Sequence, residues 1–371
     1  MKKIRVMSIL GTRPEAVKMA PVIQELKKRV EFDSRVCVTA QHRQMLDQVL
    51  DLFNIQPDID LNLMQPGQSL SQLTAAVFQK LPQCLEEYKP DWVLVQGDTT
   101  TVMAASLVSF YHHIKVGHVE AGLRTYDKWQ PFPEEINRRI AGVIADFHFA
   151  PTQMAGQNLL NEGILTEKIQ VTGNTVIDAL LQVSQRPYDI QNSELASIPF
   201  DKRIVLVTAH RRENFGKPIE NICIALQRLA QMYSNDIHLV YPVHLNPNVQ
   251  EPVKRILGNV PNITLLPPLD YLPMVQLMKR STLILTDSGG LQEEAPGLGV
   301  PVLVLREVTE RPEGVQAGTV RLVGSNPDKI LCESRHLLDD PAEYQKMALS
   351  INPYGDGHSA ERIVDLIVKF N

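Results

Sequence analysis

The chain has 371 residues, 44% of them hydrophobic and 21% charged, with Lys+Arg 37 against Asp+Glu 42 and a net charge of −5. That length predicts two globular domains with apolar residues enough for two cores, and the composition excludes disorder, collagen and coiled coil. Mild acidity without blocks of like charge excludes a basic footprint for nucleic acid or an anionic membrane, so an anionic ligand must be met by a local cluster.

The first ten residues carry two lysines before an apolar run, but Gly11-Thr12-Arg13-Pro14-Glu15 interrupts it, so they read as a β-strand and not as a leader. Short apolar runs then alternate with longer amphipathic segments. They lie at Ile4 to Leu10, Arg35 to Thr39, Trp92 to Gln96, Lys115 to Val119 and Phe147 to Ala150. A second series follows at Ile204 to Thr208, His238 to Pro242, Ile263 to Leu266, Leu283 to Thr286 and Val302 to Leu305. Near-continuous apolar strands separated by helical patterns predict an α/β fold with doubly wound parallel sheets. A polar, strand-free stretch between Ile177 and Arg203 follows a domain boundary placed at Gly173-Asn174. The expected division is 1–173, 174–355, and a last helix over 356–371 that packs back on the first domain. No apolar stretch reaches the roughly 20 residues needed to span a bilayer, which predicts no membrane partner and a cytoplasmic protein. Four cysteines, Cys37, Cys84, Cys223 and Cys332, stand far apart and read as buried thiols of a reducing compartment.

Open parallel sheets bind ligands at the carboxyl ends of their strands, and several residues there carry chemistry. Arg13 and Lys18 follow the first strand at the start of a helix, where an anion is favoured and a cation needs a compensating partner such as phosphate. Asp98 follows the Trp92 run, Glu120 follows the Lys115 run, and Glu134 and Glu135 come soon after. Gathered carboxylates push one another's pKa apart, which suits an acid and a base near neutral pH. A helix cap is the structural alternative for Asp98. In the second half His210 ends a strand ahead of Arg211, Arg212 and Glu213, and His244 holds the analogous place after the next strand. The segment Asp287-Ser288-Gly289-Gly290 is a strand, a turn and a helix start. Its glycines let backbone approach a diphosphate, Glu294 is placed for sugar hydroxyls, and Arg311 adds a phosphate-capable cation. An Asp-Ser cap is the alternative there. GxGxxG, Walker A, HExxH and clustered His/Cys patterns are missing, so nicotinamide, nucleotide-triphosphate and metal chemistry lose their usual signatures.

These same segments, with Gly173-Asn174-Thr175, Glu310-Arg311-Pro312-Glu313 and Asn352 to Gly357, resemble the bacterial non-hydrolysing UDP-N-acetylglucosamine 2-epimerases over nearly the whole chain. The resemblance implies a GT-B-like pair of Rossmann-type domains facing a cleft, a homodimer, and interconversion of UDP-GlcNAc and UDP-ManNAc without a cofactor or metal. It implies catalytic roles for Asp98, Glu120, Glu134 and His210, and UDP contacts for Arg13, Lys18, Ser288, Gly289, Gly290, Glu294 and Arg311. A second UDP-GlcNAc acting as an activator would contact Gln41, His42, Gln44 and His244. Leu269 and Met274 depart from the Gln and Phe common in the family, and Met64 to Gln68 lacks an arginine linked to activation. The competing reading is a GT-B glycosyltransferase using a UDP-sugar donor.

Overall fold

A computed structural model describes residues 2–39, 43–65 and 67–371, with the side chains of residues 43 and 44 outside the description. The chain forms two compact units, Met1–Ala179 joined by Tyr354–Asn371, and Leu180–Pro353.

The first unit is built on seven strands, β1 (Ile4–Leu10), β2 (Phe32–Val38), β3 (Ile59–Asp60), β4 (Trp92–Gln96), β5 (Lys115–Val119), β6 (Phe147–Ala150) and β7 (Ile169–Val171). Their order is β3-β2-β1-β4-β5-β6-β7, and every neighbouring pair is parallel. The second unit repeats the plan with β8 (Arg203–Thr208), β9 (Ile237–Pro242), β10 (Ile263–Leu266), β11 (Ser281–Thr286), β12 (Val302–Val304) and β13 (Val320–Leu322), ordered β10-β9-β8-β11-β12-β13. Both are doubly wound, Rossmann-like sheets, and the order reverses beside β1 and β4 in one and beside β8 and β11 in the other.

Parallel strands need crossover helices on both faces, so central strands are buried throughout, as in β4. Leu73, Val77, Leu81 and Leu85 repeat every fourth residue along the helix Leu70–Tyr88 and pack with Met7, Ile9, Val93 and Val95. Each such buried side chain contributes roughly 1.5–3 kcal/mol. Ile219, Ile222, Leu226 and Leu229 of the helix Lys217–Met232 do the same over Val205, Val207, Leu239 and Leu283.

All ten apolar runs are strands. Three further strands, β3, β7 and β13, have only two or three residues and lie at sheet edges. Open to one side, they need no continuous apolar run and leave little trace in the sequence. The stretch after Ile177 is strand-free and begins inside the helix Thr175–Ser184.

The last helix, Ser359–Phe370, buries Ile363, Val364 and Ile367 in the first unit. Asp178 accepts the Ala360 N–H at 2.8 Å, Arg29 pairs with Asp365 at 2.5 Å, and the Asn174 N–H reaches the Tyr354 carbonyl at 2.6 Å. Gly173 is required at this junction, because at φ +92° a Cβ would stand 2.6 Å from Ser359 Oγ. The four cysteines are free, but only Cys37 and Cys223 are buried; Cys84 is half-buried and Cys332 exposed. The expectation of four buried thiols fails at Cys332 because the helix Pro327–Asp339 buries Ile330, Ser334, Leu337 and Leu338, a stripe that excludes it.

Candidate active site

In the first unit the carboxyl ends of β1, β4 and β5 lie side by side at the switch point. The chain leaving β1 passes so close to its neighbours that a Cβ on Gly11 would sit 2.3 Å from Thr39 Oγ1 and 2.7 Å from Thr101 Oγ1. Arg13 opens the next helix with a proline in its first turn. Buried Glu15 accepts the N–H groups of Gly11 at 2.9 Å and Thr12 at 2.6 Å and the Thr99 hydroxyl at 2.7 Å. Burial pushes its carboxyl above the usual range, against the pull of these hydrogen bonds. It fastens the turn that presents Arg13.

Glu120 follows β5 directly at φ +62°, a left-handed conformation rare outside glycine. Its carboxylate is ringed by donors. Lys18 Nζ lies 2.5 Å from Oε1, Asn174 Nδ2 3.1 Å from Oε1, and Gln96 Nε2 2.5 Å from Oε2. The side chains of Lys18 and Glu120 are 17% and 6% exposed, so the ion pair is nearly buried. Gly97 turns at φ +80°, and its missing Cβ would stand 3.5 Å from Glu120 Oε2.

Asp98 comes next and is gripped by Arg138, whose Nε and Nη2 lie 2.9 and 2.8 Å from Oδ2. Asn137 donates to its carbonyl at 2.9 Å. The cap of the following helix falls to Thr99, which accepts the Val102 N–H, so capping does not explain Asp98. Arg138 also reaches Glu135 at 3.2 Å. Glu135 is buried and accepts the N–H groups of Thr125 and Tyr126, which makes it the fastener of that loop. Glu134, the first residue of the helix Glu134–Ile144, has a buried Oε2 with no hydrogen-bond partner among the described residues. His118 is buried and donates Nε2–H to the Gly97 carbonyl at 2.7 Å. Burial drives its pKa down to about 4, which keeps the ring neutral. Facing it in register on β6 is His148, pushed down to about 3 by the same cause.

The second unit gathers its chemistry where β8 and β11 end. Thr208 and Thr286 face each other, their hydroxyls 2.6 Å apart. Beyond them Asp287, fully buried, accepts on Oδ2 the N–H groups of His210 and Arg211, both at 2.8 Å, and Asn214 Nδ2 at 2.9 Å. His210 Nδ1 lies 3.5 Å from Oδ1. Ser288 precedes the helix Gly289–Gly297 but makes no side-chain cap bond. The Asp-Ser pair is therefore not a cap.

A Cβ on Gly289 would lie 3.6 Å from Arg211 Nη2 and 3.9 Å from Arg311 Nη2, so two guanidiniums flank the first turn of this helix. Cations are disfavoured at a helix N-terminus unless an anion joins them, which marks the spot for phosphate. Arg311 is aimed by an ion pair with buried Glu293. Glu294 leans over Gly290, whose Cβ would be 3.6 Å from Glu294 Oε1. Glu213 and Glu310 neutralise Arg306. His244 stacks on His210 with ring centroids 5.4 Å apart. Gln41 and His42, and the side chain of Gln44, lie outside the described residues.

Sequence reading did not anticipate the Lys18–Glu120 pair, Asp98 as a partner of Arg138, or the roles of Asp287 and Glu293. Each joins residues distant in sequence, and only Asp287, at a strand end beside paired glycines, carried a local signal.

A family model described as UDP-N-acetylglucosamine 2-epimerase matches residues 24–368. A UDP-N-acetylglucosamine 2-epimerase of Salmonella typhimurium is 56% identical over 373 residues, covering 99% of both chains. The structure of UDP-GlcNAc 2-epimerase from Neisseria meningitidis bound to UDP-GlcNAc is 51% identical, with a TM-score of 0.89 over 99% of this chain and 100% of that one. A glycotransferase of kitacinnamycin, 13% identical, matches with a TM-score of 0.67 over 100% of this chain and 99% of that one, a likeness of fold alone. With agreement over almost its whole length, the chain belongs to the UDP-N-acetylglucosamine 2-epimerase family.

Proposed function

We propose that this protein interconverts UDP-GlcNAc and UDP-ManNAc by inverting C2 of the sugar. The observation that carries the reading is full-length similarity, at 51% identity, to an epimerase whose structure was solved with UDP-GlcNAc bound. The C2 proton of this sugar has no neighbouring carbonyl and is hardly acidic, so direct removal is slow. Elimination avoids the difficulty. The C1–oxygen bond to UDP breaks, a carboxylate takes the C2 proton, and a C1=C2 double bond forms to give 2-acetamidoglucal and UDP. Return of a proton to C2 on the opposite face, with re-addition of the UDP oxygen at C1, gives the epimer.

In this reading the strand-end carboxylates of the first unit handle the proton, and two of them are needed because it leaves one face and returns to the other. Asp98 and Glu134 are our candidates for the two proton carriers. Glu120, held by Lys18, Gln96 and Asn174, presents a fixed negative charge to the positive charge that grows at C1. Arg13, Lys18, Arg311, Ser288 and the paired glycines hold the departing diphosphate, Glu294 takes sugar hydroxyls, and His210 steadies or protonates the leaving phosphate.

A homodimer, a cytoplasmic location, and a second UDP-GlcNAc bound near Gln41, His42, Gln44 and His244 are further parts of the proposal. Sedimentation, cell fractionation and activation by added UDP-GlcNAc check them. No described helix is long and apolar enough to cross a membrane. The direct test is incubation with UDP-GlcNAc and no acceptor, followed by NMR. UDP-ManNAc in equilibrium with substrate is the expected result; no change without an acceptor sugar would point to a transferase.

A further inference from the structure

Asp287 Oδ2 accepts three hydrogen bonds, but its Oδ1 is buried without a hydrogen-bond partner among the described residues. It faces Nδ1 of His210 across 3.5 Å, just beyond bonding distance. Oδ2 is fixed by two backbone N–H groups and Asn214, so the carboxylate cannot turn away. His210 is the movable member, its side chain 37% exposed. With Nδ1 turned to the carboxylate, Nε2 is the nitrogen left to meet a ligand. Arg211, the next residue along the chain, brings its guanidinium with that of Arg311 to the first turn of the helix Gly289–Gly297.

We infer that Asp287 is the positioning residue for His210, and that binding of a nucleoside diphosphate loads a proton onto this histidine, which Asp287 alone makes tolerable. The inference rests on the diphosphate reading of the second unit given above. Among the described residues, three charged or titratable groups face the ring. Asp287 favours the imidazolium, while stacked His244 and neighbouring Arg211 oppose it. Burial is the largest influence and holds the free histidine below its ordinary range, so the empty site is neutral at pH 7.5. A dianionic phosphate closing on Nε2 reverses that balance, and Nδ1–H closes on the orphaned Oδ1 as the ring charges. The proton arrives from solvent, Nδ1–H is retained, and Nε2–H becomes a donor to the phosphate.

Calorimetric titration with UDP at pH 7.5, in buffers of differing ionisation enthalpy, reads this proton directly. Wild-type protein is expected to take up roughly half to one proton per UDP more than the His210→Asn variant, a difference that removes any titration of UDP itself. Asp287→Asn keeps an acceptor for the backbone N–H groups, and should cut the uptake severalfold and weaken UDP roughly tenfold. Nitrogen-15 shifts of His210 supply a second readout. The Nδ1–H tautomer should dominate in free wild-type protein and be lost in Asp287→Asn, even if that variant binds UDP poorly. UDP binding with the same proton uptake in wild type and His210→Asn, or an unchanged tautomer in Asp287→Asn, would overturn the inference. Failure of UDP to bind wild-type protein at all would instead overturn the diphosphate reading on which it rests.

Discussion

Replacing Lys18 by Met removes the ammonium that pairs with the Glu120 carboxylate, in a place where the Glu120 side chain is only 6% exposed. Breaking a fully buried ion pair by deleting one partner costs about 3–5 kcal/mol. Here Gln96 and Asn174 still donate to the carboxylate, and Lys18 itself is 17% exposed, so the loss is expected nearer 2–3 kcal/mol. The two tryptophans make the measurement specific, since Trp92 and Trp129 both belong to the first unit. Trp92 is buried in the central sheet while Trp129 is exposed, so the fluorescence change on urea unfolding reports the loss of that unit's core. The companion double variant Lys18→Met with Glu120→Gln removes the stranded charge. It should recover at least about 1.5 kcal/mol relative to the sum of the two single losses while remaining inactive. Additivity within about 0.5 kcal/mol would show that the two groups do not depend on each other and would refute the placement of Lys18 as the counter-charge.

Asp98→Asn and Glu134→Gln should each lower turnover by roughly 10²–10⁴-fold while UDP affinity changes little, and steady-state rates with calorimetry decide it. Arg311→Ala should weaken UDP by roughly 10–150-fold, the effect of losing a charge-assisted contact of about 1.5–3 kcal/mol. Glu293→Gln should weaken it less, by removing the ion pair that aims the guanidinium. The buried histidines predict the acid response of the first unit. Their folded pKa values, about 4 for His118 and about 3 for His148, lie below the ordinary 6.5, so the unfolded chain binds more protons between those limits. Stability is therefore complete above pH 6.5 and lost as pH falls toward 4, by up to about 1.4 kcal/mol per unit for each histidine. Urea midpoints followed by Trp92 fluorescence should show a flatter slope in His148→Leu.

The fold was legible because parallel sheets buried on both faces need unbroken apolar strands, and ten such runs stand out. The edge strands β3, β7 and β13 were not, since strands of two or three residues are too short to leave a pattern. The strand-end rule pointed to Asp98, Glu120 and the Asp287 loop for a physical reason, namely that loops there gather at the switch point of each sheet. Chain order could not rank neighbours within a motif. Glu134 and Glu135 look equivalent in the sequence, yet Glu135 is spent on Thr125, Tyr126 and Arg138 while Glu134 keeps an oxygen with no hydrogen-bond partner among the described residues. Lys18 reads as a phosphate contact at a helix start, and its pairing with Glu120, 102 residues away, left no sign in the sequence. Arg138 lies 40 residues from Asp98 along the chain and holds it by an ion pair. Such pairings depend on three-dimensional neighbours that no local spacing encodes.

The central claim is elimination at C1–C2 followed by re-addition, and a proton NMR time course of UDP-GlcNAc in heavy water tests it most directly. The carboxylate that takes the C2 proton exchanges with accessible solvent faster than typical turnover, so UDP-ManNAc should form with deuterium at C2, and recovered UDP-GlcNAc should acquire it as well. UDP-ManNAc that keeps the original hydrogen at C2, with conversion dependent on added NAD, would contradict the account.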